Sequence, residues 1–535
     1  MRPRWHTGDP DLCRRVERWL GSDSSEANPE KAELLAQSRY RRSVKLPGTA
    51  NPRDPLFAKH FLSPASRRLG DRLLERFKAA AGQAAADREW RALAALHRQG
   101  MAVPEPLARA SLAGREALLV ARYVEGRPLL EALGVDPATR RQLLTALGEL
   151  VARLHALGWT HGDLHAGNIL VTGGRPLLVD WQRARRSRSE DRRLVDLGTL
   201  EFSLAQAGLS RSDRLRVRMA ALGVADPRSP EARRQLRRAG HAAQARASRH
   251  YRRRTKRCLR VGEVSARVRS AAGRGLRLRD FPDAAIDEAL AAHRAAIAAG
   301  GPALLKCDHR SRVSAVRAGG RDLVVKEVIK GGPRKWVADL FRGSPARRAW
   351  RGGHGLLVRG IGAALPLAFV ERRALGLPVA SFAILEDLRP GRPVQELRPD
   401  GDAPTAAELV NRLCDLAASL HRHGVIHGDF QALHVYGCEG ASGWEMALID
   451  LEGVRFPGRL REGQRIEALA ELNASLPDDL ISLDERLRGF ERYAARLPFE
   501  MGADAARVAI ARRSLERRHR WRGEGCELGV TIARP

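Results

Sequence analysis

The chain contains 535 residues, of which 44% are hydrophobic and 5% aromatic, so it can form roughly two to four soluble domains of about 150 residues each. Its 94 Lys and Arg residues exceed its 62 Asp and Glu residues, giving a net charge of +32 that favours anionic partners, although an arginine-rich genome would produce the same excess. Its six cysteines are far apart and form no CxxC pair, which argues against a disulfide framework and a zinc site.

The segment Met1–Pro10 contains no apolar stretch of the kind found in signal peptides. The longest apolar candidate elsewhere, Gly360–Val370, contains Pro366 and is shorter than the roughly 18–20 residues that a membrane span needs. We therefore expect a cytoplasmic protein that is at most peripheral to the inner face of a membrane.

One segment of the first half recurs in the second half. Leu150–Asp163 reads LVARLHALGWTHGD, and Leu416–Asp429, 266 residues later, reads LAASLHRHGVIHGD. A period this long predicts two tandem domains rather than a solenoid. We expect an N-terminal extension at residues 1–38, a first domain at residues 39–262 and a second domain at residues 263–535.

Both copies contain the same predicted elements in the same order: a strand with one lysine, a helix closed by glycine, an apolar strand, an amphipathic helix, a His-Gly-Asp loop and a strand that ends in aspartate. In the first copy the strands and helices are Leu56–Lys59, Ala84–Gly100, Ala117–Tyr123, Pro137–Leu157 and Leu177–Asp180. In the second copy they are Leu323–Lys326, Pro345–Gly360, Ala380–Glu386, Pro404–His423 and the run that ends at Asp450. The remainder of each copy is basic and predicted to be helical.

The loop after the long helix of the first copy carries the strongest chemical pattern. It reads THGDLHAGNIL from Thr160 to Leu170, and the next strand ends in Asp180. Phosphoryl transfer from ATP needs one aspartate to orient the acceptor hydroxyl and take its proton, and an asparagine and a second aspartate to hold Mg²⁺. Asp163, Asn168 and Asp180 have this spacing, and the flanking helix and strand, together with a second His-Gly-Asp loop in the other copy, argue against a chance polar loop.

His161–Asn168 resembles the motif shared by the protein-kinase-like superfamily, including aminoglycoside phosphotransferases. A narrower resemblance, to the bacterial lipopolysaccharide core kinases that phosphorylate Kdo or heptose, rests on Val179–Arg185, Arg347–Arg351 and Arg517–Arg522. The resemblance covers roughly residues 39–535. It implies an α+β fold with two tandem bilobal domains, each with a small antiparallel-sheet lobe and a larger helical lobe.

The resemblance also implies a role for each matching residue of the first copy. Lys59 would bind the α- and β-phosphates of ATP, and Glu89 on the next helix would pair with Lys59. Asp163 would be the base, while Asn168 and Asp180 would hold Mg²⁺. A solvent-facing strand lysine and a solvated helix glutamate are the structural alternatives for Lys59 and Glu89.

The two histidines of the motif, His161 and His165, are expected to have different roles. We expect His161 to hold the backbone, whereas His165 stands where protein kinases usually carry lysine and would approach the γ-phosphate. The chain also departs from the protein-kinase pattern. Neither copy has a G-x-G-x-x-G loop before its lysine, and Gly162 replaces the arginine that would bind an activation-loop phosphate. These departures favour a small-molecule or glycolipid kinase.

The second copy is expected to be catalytically degraded, although it keeps Lys326, Asp429 and Asp450. Ala349 stands where the first copy has its helix glutamate, so Lys326 is expected to lack its ion pair. His434 replaces the asparagine, and imidazole is a poor Mg²⁺ ligand. With Asp429 and Asp450 retained, this copy could still bind a nucleotide weakly or keep slow turnover, but we expect it to brace the first copy or help to hold the acceptor.

Two basic runs lie outside the residues assigned to ATP and Mg²⁺. The run Trp181–Arg193 holds six arginines, which suit an acceptor that bears phosphate or carboxylate, with a solvated basic face as the alternative. The run Arg252–Arg260 would touch an anionic membrane surface or form an exposed helix face.

The sequence therefore predicts an enzyme that uses ATP and Mg²⁺ to phosphorylate a hydroxyl of an anionic sugar or glycolipid. Phosphorylation of protein Ser, Thr or Tyr is the alternative within the same class, and a non-catalytic nucleotide-sensing scaffold is the alternative from another class. Nucleic-acid binding is not expected, because the chain shows no recognised binding module and few aromatic residues to stack on bases.

Overall fold

The computed structural model describes residues 3–21, 32–38, 40–48, 55–62, 85–113, 116–134, 136–329, 339, 342–374, 377–397, 405–440, 443–517 and 525–530. The chain divides into two compact units, Met1–Ala247 (unit 1) and Ser248–Pro535 (unit 2). The boundary between them falls inside one long helix, whereas the sequence analysis put the junction between residues 262 and 263. The assignment of a separate function to each domain stays a prediction.

Unit 1 combines a small antiparallel sheet with a larger helical part. In chain order its elements are β1 (Arg4–Thr7), α1 (Pro10–Gly21), β2 (Glu33–Ser38), β3 (Arg41–Leu46), β4 (Leu56–Phe61), α2 (85–98), β5 (Pro106–Leu112), β6 (Glu116–Arg122), β7 (Arg127–Pro128), α3 (Leu129–Ala132), α4 (Pro137–Ala156), β8 (Trp159–Thr160), β9 (Ile169–Thr172), β10 (Arg175–Leu178), β11 (Arg185–Arg186), α5 (Glu190–Gln206), α6 (Arg211–Leu222) and α7 (Pro230–Arg257), which continues into unit 2. The main sheet has the order β1-β5-β6-β4-β3-β2.

The central strands of the main sheet of unit 1 are buried on both faces. Side chains alternate between the two faces of a strand, so Ala58 and Phe61 of β4 belong to different clusters. On one face, Val16 and Trp19 of α1 pack in the same cluster as Ala58. On the other, Phe61 shares a cluster with α2 and the helical part. The predicted N-terminal extension thus contains β1 and α1, which take part in this sheet and its core.

The long helix α4 begins and packs as its sequence requires. Asp136 accepts hydrogen bonds from the backbone N–H groups of Ala138 and Thr139, and Pro137 occupies the first turn, where no N–H is needed. Gly148 allows close contact with α6, because a Cβ at this position would lie 2.6 Å from the Val217 carbonyl oxygen. This contact holds α4, and the loop that follows it, against the helical part.

Unit 2 repeats this plan, and its described main sheet has seven strands where that of unit 1 has six. After α7 its elements are β12 (Ser265–Arg267), β13 (Arg274–Leu278), α8 (Asp283–Ala299), β14 (Leu304–Cys307), β15 (Ser311–Ala318), β16 (Arg321–Ile329), α9 (Pro345–Leu357), β17 (Pro366–Ala374), β18 (Leu377–Glu386), β19 (Arg392–Pro393), α10 (Ala406–Arg422), β20 (Val435–Gly440), β21 (Gly443–Leu448), α11 (Glu462–Ser475), α12 (Leu483–Arg496) and α13 (Ala503–Leu515). Its main sheet has the order β12-β13-β17-β18-β16-β15-β14.

Two hydrophobic clusters fill unit 2. Phe281 and Ile286 at the start of α8 pack with Leu323 and Val325 of β16 on one face of the sheet. Trp350 of α9 joins the core of the helical part. Each unit thus has the small-sheet and helical lobes of the predicted α+β fold, and that prediction is confirmed.

Three expectations concern residues at the margin of the described ranges. Ala84 and Pro404, the predicted first residues of two helices, lie outside the described residues, as does the end of the Arg517–Arg522 motif. None of the described helices combines the length and the apolar character needed to cross a bilayer.

Candidate active site

Lys59 lies at the centre of a buried ion-pair network in unit 1. It extends from β4, between β3 and β6, and its Nζ lies 2.9 and 2.8 Å from the two carboxylate oxygens of Glu89 on α2. The same Nζ lies 2.8 Å from Oδ1 of Asp180, just after β10. The structure therefore brings together three of the predicted site residues, and Lys59 and Glu89 are both almost fully buried.

The charges of this network respond to burial in different ways. Burial raises the pKa of Glu89, and the Lys59 ammonium only partly offsets this effect. Burial also acts to raise the pKa of Asp180, but Lys59 and then Arg41 outweigh it and hold that pKa below its usual value. Asp180 is thus an ionised carboxylate at neutral pH. Its φ of 64° is in the left-handed region, which turns the chain sharply after the strand.

The His-Gly-Asp loop of unit 1 is held by Asp196, a buried residue of α5. Its carboxylate accepts hydrogen bonds from the backbone N–H groups of His161 at 2.6 Å and Gly162 at 2.8 Å. The sequence analysis missed Asp196, because no local pattern sets it apart from the other acids of α5. Gly162 is required because its φ is 75° and a Cβ would lie 2.4 Å from the Arg183 carbonyl oxygen.

His161 holds backbone, as expected. Its Nε2 donates to the Val179 carbonyl oxygen at 3.0 Å, which ties the loop to the chain just before Asp180. Burial lowers the pKa of His161, so the ring is neutral at physiological pH.

The remaining predicted residues of unit 1 lie in the same loop. Asn168 donates from Nδ2 to the Asp163 carbonyl oxygen at 2.9 Å, which leaves its Oδ1 available as a ligand. The Asp163 carboxylate lies 3.2 Å from Nη1 of Arg183. His165 accepts a hydrogen bond from the Gly167 N–H through Nδ1, and its approach to the γ-phosphate stays a prediction.

Lys326 of unit 2 has two carboxylate partners, so the expectation that it lacks an ion pair is wrong. It pairs with Asp450, and its Nζ lies 3.3 Å from Oε2 of Glu452. Burial acts to lower the pKa of Lys326, but Glu452 and Asp450 together raise it. The sequence analysis looked for the partner only on the helix, where Ala349 is indeed buried and apolar.

The loop of unit 2 repeats the contacts of unit 1 with different residues. His427 Nε2 lies 2.8 Å from the Ile449 carbonyl oxygen, as His161 does from that of Val179. His434 Nδ1 lies 3.0 Å from the Asp429 carbonyl oxygen, in the manner of the asparagine of unit 1. The Glu471 carboxylate accepts the Phe430 N–H at 2.9 Å.

The two basic runs lie largely on the surface. Arg185 and Arg186 form β11 against β8, with the Arg186 guanidinium 5.6 Å from the centre of the Trp159 ring. Arg183 is the residue of this run that contacts the Asp163 carboxylate. In the other run, Tyr251, Thr255 and Cys258 are buried, and the exposed basic side chains on the opposite face are Arg252, Arg253, Arg254, Lys256 and Arg257.

A strand lysine paired with a helix glutamate, beside an HGD loop and a strand-terminal aspartate, defines a kinase-like site. The model of the Lipopolysaccharide kinase (Kdo/WaaP) family matches residues 68–220 and 314–485, more than half of the chain. The chain therefore belongs to this family, and the two matched segments agree with the predicted duplication. The resemblance inferred from the sequence is confirmed.

Curated relatives match shorter segments. The chain is 39% identical over 108 residues to the 3-deoxy-D-manno-octulosonic acid kinase of Xanthomonas axonopodis pv. citri, covering 19% of this chain and 43% of the relative. It is 40% identical over 87 residues to the enzyme of the same name from Actinobacillus succinogenes, covering 16% of this chain and 36% of the relative. The chain thus matches less than half the length of either relative. A solved structure of WaaP in complex with acyl carrier protein matches at 21% identity and a TM-score of 0.31, over 45% of this chain and 99% of that chain.

Proposed function

We propose that unit 1 transfers the γ-phosphoryl group of ATP to a hydroxyl of an anionic sugar or glycolipid of the lipopolysaccharide core. The observation that carries this proposal is the buried contact of Lys59 with both Glu89 and Asp180. Burying the charges of Lys59 and Glu89 is costly unless they pair closely, and their arrangement leaves the lysine beside Asp180, which would hold the metal. Family membership and the names of the matched relatives support the same reaction class.

The donor atoms of the loop fit Mg²⁺. Asn168 offers an amide oxygen because its nitrogen is engaged with the Asp163 carbonyl, and Asp180 offers an ionised carboxylate oxygen. Bound Mg²⁺ would neutralise phosphate charge as it builds up during transfer. Lys59 would bind the α- and β-phosphates, and Glu89 would keep its ammonium group in place.

Asp163 would orient the acceptor hydroxyl and take its proton. The hydroxyl oxygen forms a bond to the γ-phosphorus, the bond from that phosphorus to the bridging oxygen breaks, and ADP leaves with the bond's electron pair. Asp196 supports this step, because its carboxylate fixes the backbone of the two residues before Asp163. A fixed position brings the base within reach of the attacking oxygen.

Arg183 would recognise the negative charge of the acceptor. Its side chain is 69% exposed, yet its guanidinium lies 3.2 Å from the Asp163 carboxylate. An acceptor carboxylate or phosphate bound to Arg183 would therefore place a neighbouring hydroxyl beside the base, and arginine binds both groups bidentately. The matched relatives are named for a sugar acid, which carries such a carboxylate.

We also propose that the protein works at the inner face of the cytoplasmic membrane. Four arginines and a lysine between Arg252 and Arg257 share an exposed side of α7. Each would contribute about 1 kcal/mol near an anionic bilayer. Sedimentation with anionic and neutral vesicles tests this location, because equal binding to both would contradict it.

ATP turnover by the purified full-length protein tests the proposed reaction. The acceptors are Kdo-bearing lipid A, a heptose-bearing core oligosaccharide, a generic protein substrate and buffer. We expect Mg²⁺-dependent transfer to one of the two anionic glycans well above the rate with buffer. Transfer to the protein substrate alone, or turnover that no acceptor stimulates, would contradict the proposal.

A further inference from the structure

Unit 2 contains a cluster of side chains whose ligand atoms converge. Asp429 in the loop, His434 before β20 and Asp450 after β21 each offer one ligand atom, and these atoms lie within 4.8 Å of one another. All three side chains are partly buried. The group therefore has the size of a single coordination sphere, and it contains one nitrogen ligand besides its carboxylates.

The hydrogen bonding of His434 determines which of its nitrogens is free. Its Nδ1 lies 3.0 Å from the Asp429 backbone carbonyl oxygen and 3.3 Å from Oδ2 of the same residue, and both oxygens accept, so Nδ1 carries the hydrogen. When that is the only hydrogen on the ring nitrogens, Nε2 keeps its lone pair. Metal-binding histidines commonly donate their other N–H to a backbone carbonyl in this way.

The matching residue of unit 1 makes the same contact with a different group. Asn168 donates from Nδ2 to the Asp163 carbonyl at 2.9 Å and keeps its Oδ1 free. His434 thus replaces an amide that offers oxygen by an imidazole that offers nitrogen, while the anchoring hydrogen bond is retained. The exchange changes the ligand atom and leaves the anchoring of the side chain the same.

The charges around the cluster leave room for a divalent cation. Lys326 contacts Asp450 but is also paired with Glu452, whose Oε2 lies 3.3 Å from Nζ. One lysine thus stands against the carboxylates of Asp450 and Glu452, so together with Asp429 the group has a formal net charge of −2. The Asp429 Oδ1 also accepts a hydrogen bond from Gln431 Nε2 at 2.6 Å. Unit 2 thus retains a strand lysine paired with carboxylates, as in a kinase-like site.

We propose that unit 2 binds one divalent transition-metal ion through Asp429, His434 and Asp450, and that it prefers Mn²⁺, Co²⁺ or Zn²⁺ to Mg²⁺. Mg²⁺ takes an octahedral shell of oxygen ligands, whereas imidazole nitrogen suits the transition metals. The two units then differ in the metal they select. This proposal concerns metal binding and does not depend on the reaction proposed for unit 1.

The test uses the full-length chain with Asp180→Asn, which removes a predicted metal ligand of unit 1. Mn²⁺ alone is titrated into this protein, and free Mn²⁺ is followed by electron paramagnetic resonance. We expect bound Mn²⁺, an echo-modulation signal from a coupled ¹⁴N nucleus, and poor displacement by Mg²⁺.

Substitutions of His434 then test whether its imidazole binds the metal directly. Adding His434→Ala should weaken Mn²⁺ binding about tenfold or more, which is at least the effect seen for residues that only support a ligand. Adding His434→Asn, which restores the side chain of unit 1, should remove the ¹⁴N signal and shift selectivity towards Mg²⁺. His309→Ala, at an exposed histidine of the same unit, should change neither property.

Two results would overturn the proposal. One is the absence of Mn²⁺ binding by the Asp180→Asn chain. The other is a Mn²⁺-to-Mg²⁺ affinity ratio that is the same with His434 and with His434→Asn. The second variant keeps the test valid if His434→Ala does not fold, because asparagine occupies the same position in a folded loop of unit 1.

Discussion

Lys59 and Lys326 occupy matching positions in the two units, yet their second carboxylates come from different elements. Each lysine contacts the aspartate after the matching strand, Asp180 or Asp450. Lys59 takes its other partner, Glu89, from the helix α2, whereas Lys326 takes Glu452 from the residues after Asp450. The sheet therefore determines where the lysine points, while any carboxylate within reach of Nζ can balance its charge.

The two pairs also differ in their contact with solvent. The Lys59 and Glu89 side chains are 4% and 3% exposed, whereas those of Lys326 and Glu452 are 20% and 30% exposed. Solvent screens the second pair, so its loss should cost less. The units therefore offer a matched measurement of one ion pair in two environments.

Removal of each glutamate should have very different effects on stability. Glu89→Leu leaves a buried ammonium with one partner, and we expect the free energy of unfolding to fall by about 3 kcal/mol. Glu452→Gln should cost about 1 kcal/mol or less, because that pair is partly solvated. Urea unfolding, with hydrogen exchange followed in β4 and β16, measures both effects.

A double variant serves as the control for this comparison. Lys59→Met combined with Glu89→Leu removes both charges and should recover most of the loss, since an apolar pair of similar volume tolerates burial. Equal losses for Glu89→Leu and Glu452→Gln would contradict the difference in burial between the pairs.

The matching histidines before the two loops contact different groups. His155 of unit 1 lies 3.5 Å from the Asp196 carboxylate, whereas His421 of unit 2 lies 2.7 Å from the Tyr493 hydroxyl. Burial lowers the pKa of His421 to about 3. Below its unfolded pKa of about 6.5 this histidine takes up a proton only on unfolding, so its contribution to stability is lost as pH falls.

We expect His421→Gln to flatten the pH dependence of stability by about 2 kcal/mol between pH 6.5 and 5, at 1.36 kcal/mol per pH unit. Thermal or urea unfolding at several pH values measures the slope. His309→Gln, at an exposed histidine, is the control and should leave the slope unchanged. A slope in His421→Gln as steep as in the wild type would contradict a neutral His421.

Arg183 allows the acceptor site of unit 1 to be probed separately from the nucleotide site. Arg183→Gln should raise the KM for the acceptor about tenfold, because a hydrogen bond to a charged group contributes about 1.5–3 kcal/mol. The KM for ATP should stay the same. Arg186→Gln, whose side chain lies against Trp159, is the matched control. Equal changes in both KM values would argue against acceptor binding at Arg183.

Local patterns predicted much of this molecule. Asp163, Asn168 and Asp180 lie within 18 residues of one another in the sequence, and the structure places the first two in the loop before β9 and the third just after β10. The pairing of Lys59 with Glu89 spans 30 residues but follows from the resemblance of the strand and helix to those of kinases.

Local sequence patterns did not predict the contacts that depend on tertiary packing. Asp196 binds the loop from 35 residues away, and no local pattern sets it apart from the other acids of α5. Glu452 reaches Lys326 from two residues after Asp450, a contact that the kinase pattern of a strand lysine and a helix glutamate does not indicate. The strand β1 and helix α1 complete the sheet of unit 1, but their sequences alone do not indicate which core they cover.

We propose that unit 1 carries out phosphoryl transfer and that unit 2 does not. The most direct measurement compares Asp163→Asn with Asp429→Asn in the full-length protein, using the initial rate of ³²P transfer from ATP to the active acceptor. We predict a loss of about 10²–10⁴-fold for Asp163→Asn, the range for a missing general base, and a rate close to wild type for Asp429→Asn. A loss for Asp429→Asn as large as for Asp163→Asn, with folding and nucleotide binding unchanged, would contradict the account.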